Sequence, residues 1–161
     1  MKGILLILVM VLAGCTGEQL HYSLYFCPQD ECAKRIIEEL AAAEEEIVFA
    51  SFTFTHPNIA TGLILQHHRN VSVKGFMEKS NSKKRYSQYG RLEEQGIEMN
   101  VDNRSGLMHN KFFVIDNKTV ITGSFNPSKN ADRRNAENIL IIHHAEIARK
   151  YREEFESLWM N

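Results

Sequence analysis

Polar and apolar residues alternate from His21 to Phe26, a period of two that predicts a strand ended by Cys27-Pro28. The period then lengthens. Ile36, Ile37, Leu40 and Ala41 fall on one face of a helix that Asp30 is placed to cap and that Glu44 to Glu46 closes. Ile47 to Phe54 is rich in β-branched and aromatic residues, as strands are. Pro57 suits the first turn of a helix running to about Arg69, and Val71 to Met77 reads as the next strand. A polar, basic segment from Glu78 to Arg91 leads into a short helix ended near Gly96, with a strand from Ile97 to Val101 beyond it. Lys111 to Asp116 and Thr119 to Ser124 form two strands joined by Asn117-Lys118, a two-residue hairpin turn. Asn138 to Ile142 is the last strand. Ala145 to Trp159 is a helix whose Ile147, Tyr151, Phe155, Leu158 and Trp159 make an apolar stripe for core packing. Strands interspersed with helices predict an α/β fold, a mixed β-sheet sandwiched between helices in a single domain.

Ahead of the first strand the pattern is of another kind. Lys2 supplies a positive charge, Ile4 to Leu12 an apolar run, and Leu12-Ala13-Gly14-Cys15 a small-residue cleavage site ending in cysteine. About ten apolar residues are too few to span a bilayer, which takes about 20. Leu-Ala-Gly-Cys resembles the prokaryotic lipobox, so residues 1–14 are expected to be a lipoprotein signal peptide and Cys15 to carry lipid. A plain secretory signal, with Cys15 incidental, is the alternative. Either way the domain over residues 20–161 is expected to be exported, lipid-anchored at the cell membrane or periplasmic. Each buried methylene of an acyl chain contributes about 0.8 kcal/mol to anchoring. Export leaves Cys27 and Cys32 as an even pair in an oxidising compartment: a possible disulfide pinning the strand-to-helix turn, or two free, partly buried thiols.

With 161 residues the chain fits one domain. Its 19 basic and 20 acidic side chains give no global attraction for a polyanion, so any such attraction must be local. The chemistry is local too. Residues two apart on a strand project from one face, so His109 and Lys111 point together, as do Ser124 and Asn126 at the end of the next strand. The hairpin returns the second pair beside the first. One patch then holds an imidazole, an ammonium, a hydroxyl and a carboxamide. These are a nucleophile or acid–base, a fixed cation and two neutral donors, the set that a phosphodiester needs as charge builds on its non-bridging oxygens. No metal and no cofactor need be invoked, because no acidic cluster with ligand spacing surrounds the patch. His67, His68, His143 and His144 read as surface or internally satisfied histidines.

His109-x-Lys111-x4-Asp116-x6-Gly123-Ser124-x-Asn126 resembles the signature of the phospholipase D superfamily, and the chain is similar to its short, single-motif bacterial endonuclease and cardiolipin-hydrolase-like members. The resemblance implies a phospholipase D-like fold and a metal-independent phosphodiesterase acting through a phosphohistidine. It makes His109 and Lys111 catalytic, gives Lys111, Ser124 and Asn126 the phosphate, and assigns Glu137 to orient the histidine. Asp116 completes the motif, as support for the hairpin and lysine rather than as a proton carrier. The superfamily brings two such motifs to one site. In-line displacement puts attacking and departing atoms on opposite sides of phosphorus, and one imidazole cannot serve both. His21, His56, His67 and His143 have no lysine two residues on, so the missing half is expected from a second chain, giving a homodimer with a composite site on its two-fold axis. Two substrate classes compete. Lys79, Lys83, Lys84, Arg85 and Arg91, interleaved with Tyr86 and Tyr89, could track a DNA or RNA backbone, or be a solvated helix face or loop. The presumed anchor instead favours a phospholipid substrate of phosphatidyl or cardiolipin type at the membrane surface.

Overall fold

Seven strands of this computed structural model, which describes residues 19–160, form one sheet in the order β1-β7-β6-β5-β2-β3-β4. In chain order the elements are β1 (His21–Cys27), α1 (Cys32–Ala41), β2 (Glu46–Ser51), α2 (Pro57–His68), β3 (Ser72–Met77), α3 (Lys79–Ser82), α4 (Tyr89–Glu94) and β4 (Glu98–Val101). Then follow β5 (Lys111–Ile115), β6 (Thr119–Gly123), α5 (Lys129–Arg133), β7 (Glu137–His143) and α6 (Ala145–Trp159). The pairs β2–β3 and β3–β4 are parallel and the rest antiparallel, so the sheet is mixed, as expected. The expected leader and Cys15 lie outside the described residues. Among the described residues no helix is long and apolar enough to cross a membrane.

The sheet separates two apolar layers. On one side α1 and α2 set Ile36, Leu40, Ile59 and Leu63 against Phe49, Phe54 and Phe113. On the other, α6 sets Ala148, Phe155 and Leu158 against Val48, Phe112 and Val114. Each of the Val, Leu, Ile and Phe side chains among them, fully buried, contributes roughly 1.5–3 kcal/mol. The β2 residues from Ile47 to Ser51 are buried on both faces and form the centre. The α6 helix lies mainly over β2, β5 and β6. On the edge strand β1, Tyr22, Leu24 and Phe26 remain 63%, 49% and 57% exposed.

Several local expectations need correction, among them the end of β2, which lies at Ser51 rather than Phe54. Asp30 does not cap α1. Glu31 takes the cap position in a left-handed conformation, with no side-chain cap bond, while the Asp30 carboxylate accepts from the Phe26 amide. The turn spends Asp30 on β1 because a Cys27–Cys32 disulfide, Cα atoms 5.7 Å apart, folds the chain back there. The hairpin turn is centred on Asp116 and Asn117 (φ 51° and 53°), not Asn117-Lys118, with Lys118 N–H donating to Ile115 C=O. Left-handed φ suits Asp and Asn, whose short polar side chains tolerate it, better than lysine. Finally, β7 begins at Glu137, drawn into the ladder opposite Cys27.

Candidate active site

The patch predicted from the motif lies at the end of the sheet where β5 and β7 begin and β6 ends. Gly123 makes the exit from β6 possible. Its φ is +150°, and a Cβ there would stand 2.2 Å from the Asn138 carbonyl oxygen of β7. Only glycine lets the two strands approach so closely before Ser124 turns away.

His109 lies two residues before β5 and is fixed from two directions. The buried Met108 donates its amide to Glu78 Oε2 at 3.0 Å, at the end of β3. Glu78 is itself 5% exposed, and it also accepts from the Ser80 amide and hydroxyl. Burial pushes the Glu78 carboxyl up, but the bonds from Ser80 and Met108 outweigh it and hold the group below its ordinary value. Opposite, the Phe52 ring packs against the imidazole with centroids 4.4 Å apart, and the Phe52 amide donates to Asn110 C=O.

Lys111, the first residue of β5, points to the same side. Its Nζ lies 2.9 Å from His109 Nδ1, reaches the His109 carbonyl, and stands 5.3 Å from the Phe52 ring centroid. Burial lowers the lysine's pKa, opposed by the nearby Glu137 carboxylate. An ammonium donates and cannot accept, so Nδ1 accepts and a neutral imidazole carries its proton on Nε2. Ser124 Oγ donates to Glu137 Oε2 and accepts from the Asn138 amide. Glu137 Oε1 accepts from Asn135 Nδ2 at 3.0 Å. Two residues beyond Ser124, the Asn126 Oδ1 is buried with no hydrogen-bond partner. Turning that amide over would put Nδ2 in its place as a donor.

His109, Lys111, Ser124 and Glu137 thus gather at one end of the sheet, but two expected roles change. Glu137 holds Ser124 and Asn135; the group at His109 Nδ1 is Lys111. Asp116 sits at the far end of β5, about 16 Å from Lys111 at the rise of a strand. There its carboxylate accepts from the amides of Glu44, Glu45 and Glu46, so it secures the entry to β2 and lies outside the reacting patch. Those bonds outweigh burial, which alone would raise it, and hold its pKa below the ordinary value. Phe52 and Glu78 were not legible in the sequence. Phe52 touches His109 and Glu78 holds the Met108 amide beside it, and an acidic residue ending an apolar strand was the only signal for Glu78.

The basic strip is half committed to structure. Arg91 donates to Pro57 C=O, Gln88 and Thr61; Lys79 donates to Asn103; Tyr89 OH donates to Met99 C=O. Lys83, Lys84, Arg85 and Tyr86 remain exposed. Among the described residues no group of three or more His, Cys, Asp or Glu side chains is placed to hold a metal ion.

The family described as cardiolipin synthase, PLD-like domain, matches residues 36–159. A phospholipase D of Rickettsia typhi is 38% identical over 132 residues, which are 82% of this chain and 65% of that protein. A mitochondrial cardiolipin hydrolase of Xenopus laevis is 36% identical over 136 residues, 83% of this chain and 65% of that one. The chain therefore spans about 65% of the length of these curated relatives. Nuc from Salmonella typhimurium, a phospholipase D family member of known crystal structure, is similar with a TM-score of 0.83 at 26% identity, over 88% of this chain and 95% of that one. The shared architecture is the phospholipase D-like fold.

Proposed function

The chain belongs to the phospholipase D superfamily, and on that premise we propose that it is a phosphodiesterase that cleaves nucleic acid through a phosphohistidine on His109. The observation that carries the reading is the gathering of His109, Lys111, Ser124 and Glu137 at one end of the sheet, in which the Lys111 ammonium rests on His109 Nδ1. Neither catalytic role of an imidazole is compatible with that contact. A nucleophile attacking through Nε2 needs its proton on Nδ1, and a general acid needs a proton on both nitrogens. Either role requires Lys111 to leave, and an anionic phosphate is the group that draws it off. Binding would move Nζ onto a non-bridging oxygen. The freed ring gives up its Nε2 proton to solvent and takes one on Nδ1, which donates to the Glu137 carboxylate beside Lys111, and the bare Nε2 attacks phosphorus. His109 of a second copy, protonated, delivers a proton to the leaving alkoxide, then takes one from the water that hydrolyses the phosphohistidine. Ser124 and Asn126 hold the remaining oxygens, and no step requires a metal.

The second copy follows from the arithmetic of the reaction, since one motif supplies one imidazole. A surface suited to it runs up to the site. Tyr22, Leu24 and Phe26 form an exposed apolar row on β1, and Phe26 pairs with Asn138, next to Glu137. Contiguous exposed apolar side chains of this kind mark interfaces.

Nucleic acid is preferred as substrate because the exposed run Lys83-Lys84-Arg85-Tyr86 combines cations with a ring free to stack. A phospholipid hydrolase is the second reading, favoured by the identity to a phospholipase D and by a lipid anchor on Cys15 that would hold the exported domain at a membrane. The test is to incubate the full chain, with EDTA present, against plasmid DNA, single-stranded RNA and phospholipid vesicles. Nicking that steepens at low salt supports the nuclease. Phosphatidate release without nicking replaces it with the lipase, and loss of all activity in chelator overturns the metal-independent mechanism.

A further inference from the structure

We infer that the cleft between the turn after α3 and the start of α5 is a subsite for a flanking phosphate of single-stranded nucleic acid, with Arg85 and Lys129 as its cations and Tyr86 as a platform for an unpaired base. The inference rests on the nuclease reading of the adjoining site. The cleft holds about 480 Å³ and has Arg85, Tyr86 and Ser87 on one wall and Ser128 and Lys129 on the other. No aspartate or glutamate lines it, although the chain carries 20 of them. A second cleft of the same volume, beside the disulfide turn, is lined by Glu31, Glu38 and Asp132 together with Lys34 and Arg133. One concavity is therefore of single sign and the other mixed, and only the first suits an anion without a desolvated carboxylate to repel it.

The cleft is joined to the reacting groups through backbone. Phe52 touches His109, and three residues on, Thr55 lines the cleft. Thr55 and His56 both donate their amides to Pro127 C=O, which fixes one wall, and Gln88 donates to Phe54 C=O, which fixes the other. Three residues extend at most about 10 Å. A strand advances about 3.4 Å per nucleotide, so that backbone span corresponds to about three nucleotides, and the cleft lies a few nucleotides along from a phosphate held at His109. Tyr86 is 71% exposed, with the Arg85 guanidinium 5.4 Å from its ring centroid. An exposed ring stacks on any unpaired base but on none inside a duplex, which selects the single strand.

The test compares the full chain with an Arg85→Ala/Lys129→Ala double variant and with Tyr86→Ala, all exposed positions whose fold is checked by thermal unfolding. Substrates are a single-stranded oligonucleotide, the duplex of the same sequence, bis(p-nitrophenyl) phosphate and phosphatidylglycerol vesicles. The double variant should lower the ratio of kcat/KM on the single strand to that on bis(p-nitrophenyl) phosphate by about ten-fold or more. It should also flatten the dependence of log kcat/KM on log salt by about 0.7 for each phosphate no longer neutralised. Tyr86→Ala should raise KM for the single strand and not for the duplex. An unchanged ratio alongside intact nucleic-acid cleavage overturns the subsite alone, as does an equal fall on vesicles, which would assign the cleft to a headgroup phosphate. A wild-type chain that hydrolyses bis(p-nitrophenyl) phosphate and leaves every nucleic acid intact overturns the nuclease reading itself.

Discussion

At the scale of single residues, the motif positions divide by what they touch. His109 and Lys111 meet each other, Ser124 meets Glu137, and Asp116 meets only the entry to β2. Asp116→Asn should therefore cost about 1–2 kcal/mol of stability, the loss of charge on a group accepting three amides, while activity per folded molecule stays near that of the parent. The pH dependence has a definite sign. The Asp116 pKa in the folded chain lies below the unfolded value near 3.8, so its contribution is complete above that value and disappears as pH falls through the folded pKa. Thermal unfolding of both proteins from neutral to acid pH checks this: the gap between them should close toward low pH. The motif was legible because its residues lie close together in sequence around one hairpin, although His109 precedes β5 and Ser124 and Asn126 follow β6. Phe52 and Glu78 were not, because Phe52 meets His109 through the long-range pairing of β2 with β5 and Glu78 meets the Met108 amide from the end of β3, two strands away.

Among the elements, α6 was read to its ends from the apolar stripe, because a long amphipathic helix repeats its signal over four turns. Boundaries set by tertiary hydrogen bonds were less legible. The β7 strand starts at Glu137 because Cys27 pairs with it, and α1 starts after a turn that the disulfide and Asp30 close together. That bridge is an element-scale device: it ties the end of β1, opposite Glu137, to the start of α1. Replacing both Cys27 and Cys32 with serine should lower stability by about 2 kcal/mol, the loop entropy of so short a ring. Chemical denaturation with and without reductant measures it, and reductant should have no further effect on the double variant.

For the molecule as a whole, the mixed sheet between helices followed from alternating periods in the sequence, but the uneven cover over it did not. Periodicity shows which face of a strand is apolar and is silent about which neighbour buries it. Tyr22, Leu24 and Phe26 alternate as a buried face would, yet α6 leaves them open. If a second copy covers that row, Leu24→Glu should shift the dimer toward monomer by about ten-fold or more in dissociation constant, since a charge would be buried without a partner. Analytical ultracentrifugation gives the shift, and activity per chain should fall with the dimer fraction. A composite site makes a sharper demand. Wild-type chains are mixed with increasing amounts of His109→Asn chains under conditions that exchange subunits, and phosphodiesterase activity is measured per wild-type chain. At equal amounts, random pairing leaves only about half of the wild-type chains in fully competent dimers, so activity per wild-type chain should fall to about one half. Activity per wild-type chain that stays constant at every ratio would show that each polypeptide works alone, and would contradict the account.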